Sequence, residues 1–210
     1  MRKLRTSVVM AILALFLGLG GEAGPVLAGE KPTPVYAPIG DVTTTPSGYT
    51  QFCQTYPGDC QAGDQEARDV VLTKATWRDL GAVNDQVNRA IEPMTDLENY
   101  GREEWWAYPT NGKGDCEDYV LLKRKLLLDA GWPRSALLIT VVRDKKGDGH
   151  AVLMVKTDRG EFVLDNQETR ILPWQNTGYR YVKRQSQTNQ NIWVSLGDTQ
   201  TTAIVAAGAR

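Results

Sequence analysis

Three side chains suited to one another's chemistry occur in chain order: Cys116, the single histidine His150, and Asp165. A thiol supplies a nucleophile, an imidazole can take and return its proton, and a carboxylate can fix which ring nitrogen carries the hydrogen. Taken singly each is a weak signal. A lone histidine is usually a surface or satisfied core residue, and no short motif ties the three together. Their weight depends on the elements that would position them.

Cys116 lies in the stretch Gly114 to Leu128, GDCEDYVLLKRKLLL. Apolar residues at Val120 to Leu122 and Leu126 to Leu128 recur at helical spacing after the turn-like Asn111-Gly112-Lys113-Gly114, which predicts a helix from Asp115. Cys116 then sits in the first turn, where unpaired amides and the positive end of the helix dipole lower a thiol pKa. The plainer alternative is a capped helix with a buried thiol, Asp115 as N-cap and Asp118 as a shortened capping-box partner.

His150 and Asp165 fall in GHAVLMVKTDRGEFVLD, Gly149 to Asp165. This reads as a hairpin with strands at Ala151 to Val155 and Glu161 to Leu164 and a tight turn at Thr157 to Gly160. A two-residue loop places residues whose numbers sum to an odd value on one face. His150 and Asp165 then share a face at one end, opposite or diagonal to each other, within reach of an imidazole and a carboxylate.

The first residues, MRKLRTSVVMAILALFLGLGGEAGPVLAGE, have a basic start, an apolar run from Val8 to Leu19 and the small-residue site Val26-Leu27-Ala28. That is a secretory signal peptide over 1–28, with a run too short and too glycine-rich to hold the chain in a membrane. Of 24 basic and 25 acidic residues its removal takes three and one, leaving 21 against 24, net −3 with histidine neutral. This balance argues against nucleic acid or anionic lipid as partner. In an oxidising compartment three cysteines give one disulfide and one thiol. Cys53 and Cys60, in FCQTYPGDC, can close a short loop over Pro57-Gly58, so Cys116 is the odd one.

The remaining chain supplies scaffold. Residues 29–48 hold four prolines and read as an extended leader without visible chemistry; 49–196 form the domain, and 197–210 a small, polar, loose tail. From Asp64 to about Ala90, Val70-Val71, Ala75, Leu80, Val83, Val87 and Ile91 fit one or two amphipathic helices, with Asn84 and Asn88 on one face, either bracing a neighbouring loop or, as is commoner, solvated. Tyr100, Trp105, Trp106 and Tyr108 crowd before the cysteine, as core or as walls of a groove. Ala130-Gly131-Trp132-Pro133 is a helix stop, Leu137 to Val142 a buried strand, and Arg143 to Gly149 a hairpin connection. Leu172 to Tyr181 and Asn191 to Leu196 suggest two further strands.

The segments GDCEDYVLLKRKLLLDAGWP, GHAVLMVKTDRGEFVLDNQ and, more weakly, FCQTYPGDC resemble the bacterial transglutaminase-like cysteine proteinases, which include periplasmic adhesin proteases. The resemblance spans roughly Gln51 to Gln187. It implies an α+β, papain-like, transglutaminase-type fold in which a helix starting at the nucleophile packs on an antiparallel sheet. By the same resemblance Cys116 is the nucleophile, His150 the general base and acid, and Asp165 its orienter. It further implies calcium held by the acidic residues flanking the nucleophile, here Asp115 and Glu117, with Asp118, carbonyls or water completing the six to eight oxygens calcium takes. A periplasmic location, an adhesin-like protein substrate cut at an Ala-Ala-Gly site and restraint by an inner-membrane cyclic-di-GMP receptor belong to the same implication. The tail segment Ala203 to Gly208 contains a similar small-residue site. Two alternatives keep their place: a transglutaminase-type acyltransferase using the same three residues, and a catalytically silent peptide-binding module.

Overall fold

Helix-forming residues fill the first half of the domain and β-branched runs the second, and the fold follows that division. In a computed structural model describing residues 36–62 and 66–197, the chain begins with β1 (Val42–Thr43) and α1 (Ser47–Thr55). Next come α2 (Lys74–Ala90), β2 (Glu92–Pro93), α3 (Asp96–Tyr100), β3 (Lys113–Gly114) and α4 (Cys116–Asp129). The sheet-forming half comprises β4 (Leu137–Arg143), β5 (Gly149–Thr157), β6 (Gly160–Leu164), β7 (Leu172–Pro173), β8 (Arg180–Gln185) and β9 (Trp193–Ser195). The expected signal peptide and most of the tail lie outside the described residues, in which no helix is long and apolar enough to cross a membrane.

Seven strands form one antiparallel sheet in the order β1-β9-β8-β4-β5-β6-β7, and β2 pairs with β3 in a separate short parallel ladder. β4 and β5 are central and buried on both faces, which explains why Leu137 to Val142 reads as an unbroken apolar run rather than an alternating one. On one face Ile139, Val141, Ala151 and Leu153 share a core with Val120, Leu121 and Leu127 of α4 and with Tyr49, Phe52 and Trp106. On the other, Val142, Val152 and Val163 pack under Trp174, Tyr179 and Tyr181.

The β5-β6 hairpin has the expected two-residue loop: Thr157 pairs with Gly160 and Leu153 with Leu164. Helix α4 stops where read, with Gly131 at φ +86° just past its C-cap Ala130. The cysteines divide as expected too, Cys53 bonding Cys60 and Cys116 remaining free. Trp106 is fully buried in the main core, so the core reading holds for it, whereas Trp105 is half-buried beneath the Arg102 guanidinium.

Several elements differ from the sequence reading. Val70 and Val71 are not helical: Val70 bridges to Thr157 beside the sheet, and the helix starts only after Thr73, whose side chain forms a capping box with Thr76. Leu172 to Tyr181 is not one strand but β7, a 3-10 turn at Trp174–Asn176 and the start of β8, because Pro173 and Gly178 (φ +74°) interrupt the ladder. Part of the leader has a structural role: β1 pairs with β9, and the Ala37 amide donates to Glu161, whose carboxylate is also buried against Arg184.

Candidate active site

The site forms where the start of α4 meets the start of β5. Asp115 occupies the N-cap position and the helix begins one residue later than read from sequence, at Cys116. The expected capping box is not formed: Asp115 makes no side-chain cap hydrogen bond, and Asp118 Oδ1 instead accepts from the Ala107 amide at 2.9 Å. Gly114 permits this, since a Cβ there would lie 2.5 Å from Asp118 Oδ2.

Cys116 is 9% exposed, and two neighbours contact its sulfur. The thiol donates to Glu117 Oε2 at 2.8 Å, and the Ala151 amide donates to Sγ at 3.4 Å. Residue 151 follows His150, so β5 delivers the imidazole and the sulfur-binding amide from adjacent positions. Burial first, then the carboxylates of Glu117 and Asp115, pushes the thiol pKa well up. The sequence reading expected the helix dipole to lower it. These residues by themselves reverse that expectation, because a dipole end is a weaker influence than desolvation beside two carboxylates.

His150 is fully buried. Its Nε2 lies 2.8 Å from Asp165 Oδ1, the diagonal partner across the hairpin, so the pair predicted from register is in contact. Burial alone would raise the Asp165 pKa. Hydrogen bonds from His150, Tyr179 and the Gln167 amide, together with attraction to His150, outweigh it and hold Asp165 below the ordinary carboxylate range. An ionised carboxylate only accepts, which makes Nε2 the donor and leaves Nδ1 without the ring hydrogen. Nδ1 lies 3.5 Å from the Gln167 side-chain amide.

Residues distant in sequence brace this pair. Asn88 of α2 donates to the Asp165 carbonyl at 2.8 Å and Asn84 to the Thr169 carbonyl at 3.1 Å. Asn84 is fully buried, so the commoner solvated reading gives way to the alternative in which these asparagines brace a neighbouring loop. Their spacing of four was the available signal; what they would face was not. Tyr179 donates to Asp165 Oδ2 at 2.5 Å, and no pattern in the sequence singled it out.

Acidic side chains gather on the other side of Cys116. One carboxylate oxygen each from Asp96, Asp115 and Asp118 lies within 4.8 Å of the others. Of the residues expected to hold a cation, Asp115 and the completing Asp118 lie in this group and Glu117 does not, its Oε2 lying on the thiol. Asp96, missed from sequence, arrives from α3, whose amide donates to Asp115. Asp96 in turn holds the Trp105 amide, so the loop before β3 is tied to the cluster. Burial pushes Asp96 up to about 7, and Asp115 and Asp118 up to about 9; repulsion adds to it, from Asp115 on Asp96, from Glu117 on Asp115, and from Asp115 and Asp96 on Asp118. Burial likewise moves Glu104 and Glu117 to about 7. Asp96 Oδ1, Glu104 Oε1, Asp115 Oδ1 and Asp118 Oδ2 are buried without a hydrogen-bond partner, and among the described residues no lysine or arginine pairs with these carboxylates.

Chemically the site offers a thiol, an imidazole whose outer nitrogen is tied to a carboxylate, and oxygen donors suited to a hard cation. Among solved structures the chain is similar to calcium-bound LapG from Legionella pneumophila, at 20% identity and TM-score 0.50 over 76% of this chain and 87% of that one. It also matches two other forms of that protein, one of them EGTA-treated, both at TM-score 0.49, with 22% and 20% identity, 75% of this chain covered in each case and 84% and 82% of theirs. No curated protein matches. Residues 39–201, which contain every side chain of the site, match the description of the bacterial transglutaminase-like cysteine proteinase. The chain therefore belongs to the bacterial transglutaminase-like cysteine proteinases and is a cysteine peptidase.

Proposed function

We propose that this peptidase cuts an extended segment of an exported or cell-surface protein, such as an adhesin, through a Cys116-His150-Asp165 triad, with calcium at the acidic cluster. The observation that carries the reading is the His150–Asp165 hydrogen bond at 2.8 Å directly beside an amide that touches the only free thiol among the described residues. Asp165 holds His150 with its hydrogen on Nε2. Nδ1 then takes the Cys116 proton and the sulfur attacks a backbone carbonyl. His150 returns that proton to the leaving amine, and next activates water to release the acyl group. The unpaired first-turn amides of α4 are the donors for the developing oxyanion.

The residues present fit calcium. Asp96, Asp115 and Asp118 would hold it, with Glu104 close by, and the four orphaned buried oxygens are the kind of donor a hard cation satisfies. A bound cation supplies positive charge one residue from the sulfur, opposing the carboxylate field that otherwise keeps the thiol protonated. In the same reading Glu117, released from repulsion, remains the residue that caps the sulfur in the resting state. Export by the N-terminal segment and restraint by an inner-membrane cyclic-di-GMP receptor complete the proposal.

The test is the rate of Cys116 alkylation from pH 4 to 9 with calcium and with chelator, alongside cleavage of an adhesin-derived polypeptide. We expect alkylation to persist well below the ordinary thiol pKa of about 8.5 only with calcium, and Cys116→Ser to lose cleavage. A Cys116→Ser protein that cleaves like the parent would refute the triad. An alkylation profile indifferent to chelation would refute the metal.

A further inference from the structure

The second oxygen of the Asp165 carboxylate points away from His150 and is not left to solvent. Asp165 is 2% exposed, and its Oδ2 accepts from the Tyr179 hydroxyl at 2.5 Å, while Oδ1 accepts from His150 and, at 2.9 Å, from the Gln167 amide. The Tyr179 ring also stands edge-on to the imidazole, with centroids 5.7 Å apart and planes 81° apart. One side chain therefore touches both members of the pair.

The chain around Tyr179 is built to hold it there. Thr177 Oγ1 accepts from the Tyr179 amide at 3.2 Å and donates to the Trp174 carbonyl at 2.9 Å, and the Tyr181 hydroxyl lies 3.1 Å from the same oxygen. Gly178, at φ +74°, supplies the left-handed turn between them. Tyr181 and Trp174 stack edge-to-face at 5.3 Å, and the tyrosine ring packs over Val142, Val152 and Val163 on the sheet. Burial, then the Asp165 carboxylate, raises the Tyr179 phenol far above its ordinary value, so it remains a donor throughout the working range.

We propose that Tyr179 is a positioning residue of the peptidase: its hydroxyl fixes the Asp165 carboxylate plane and its ring fixes the imidazole, so that His150 keeps its hydrogen on Nε2 and presents Nδ1 to Cys116. This rests on the proteolytic reading above. A carboxylate with one oxygen unpaired rotates or recruits water, and the imidazole then loses the partner that selects its tautomer. The sequence holds a single histidine. Its ring nitrogens therefore give one unambiguous set of 15N signals, and this readout needs no substrate.

The experiment compares the parent, Tyr179→Phe and Tyr179→Leu by 15N spectroscopy at about pH 8.5, where an ordinary imidazole is neutral, and by cleavage kinetics. The parent should show the hydrogen on Nε2 alone. Tyr179→Phe keeps the ring, so it should melt close to the parent yet show a measurable Nδ1–H population. Its kcat should fall about tenfold, equivalent to about 1.4 kcal/mol, with KM unchanged; Tyr179→Leu should fall further. A Tyr179→Phe protein that matches the parent in tautomer and kcat would overturn the proposal, since packing alone would then account for the residue. An Nδ1–H tautomer in the parent would overturn it without any variant. If the parent cleaves nothing, the proteolytic reading fails, while the tautomer comparison still decides the role of Tyr179.

Discussion

Replacing Lys123 with methionine should make the protein more stable. Lys123 lies on α4, two turns beyond Cys116, and is 1% exposed. Its ammonium stands 5.9 Å from the Tyr119 ring, and Asp165 is the charge that favours its protonated form. Burial outweighs that attraction and lowers its pKa from 10.5 to about 7. Such a fall corresponds to about 5 kcal/mol at about 1.4 kcal/mol per pKa unit, an upper bound on what burying the charge costs. Methionine has a similar stem and no charge, and replacing buried charges with apolar groups of similar volume stabilises by about 1–4 kcal/mol. The sign of the pH dependence is fixed by the same shift. Between about pH 7 and 10.5 the unfolded lysine holds a proton that the folded one has released, so this residue's contribution to stability rises with pH across that window. Urea unfolding of the parent and Lys123→Met at pH 7, 8 and 9 measures both effects, and other titrating groups cancel in the difference. The variant should be more stable by about 2 kcal/mol at pH 7, with the gap narrowing as pH rises. A less stable variant, or a gap independent of pH, would refute the reasoning.

Calcium at about one hundred times its Kd should add about 2.7 kcal/mol and raise the melting temperature by about 5–10 °C; combined Asp115→Asn and Asp118→Asn should remove most of that rise, as read by melting with and without EGTA. Gly114→Ala drives a Cβ to within 2.7 Å of the Asp118 Cβ, and should cost about 1–3 kcal/mol by denaturant unfolding while weakening calcium binding. Asn88→Ala removes the donor to the Asp165 carbonyl and should cost about 1–3 kcal/mol, with kcat falling more than KM rises. Reducing the Cys53–Cys60 disulfide, which closes a loop of sequence separation 7, should cost about 2.5 kcal/mol in guanidinium unfolding with and without dithiothreitol.

The main lines of the site were legible because they rest on local rules. A thiol after a glycine turn and before an apolar helical pattern places Cys116 at a helix start whatever the rest of the fold does. The two-residue loop of the β5-β6 hairpin fixes register, and register alone brings His150 to Asp165, since side chains alternate with period two. Cysteine parity, on the expectation of an oxidising compartment, selected the Cys53–Cys60 pair. The apolar run Leu137 to Val142 announced a strand covered on both faces.

What the sequence left open depends on groups that approach from elsewhere in the chain. Asp96 and Asp115 are 19 residues apart and meet only because the short β2-β3 pairing lays α3 against the start of α4. Asn88 is 77 residues from Asp165, and α2 must pack on α4 before it can brace that carbonyl. Tyr179 reaches Asp165 because Pro173 and Gly178 break what reads as one strand. The thiol's metal-free environment was hidden for the same reason: the helix dipole is visible in a sequence, whereas desolvation and the direction of a neighbouring carboxylate exist only once the chain has closed around them. The sequence determined which residues could react and which elements carry them; the tertiary structure decided their burial, their supports and which carboxylates lie together, because burial and long-range contacts are properties of the packed molecule.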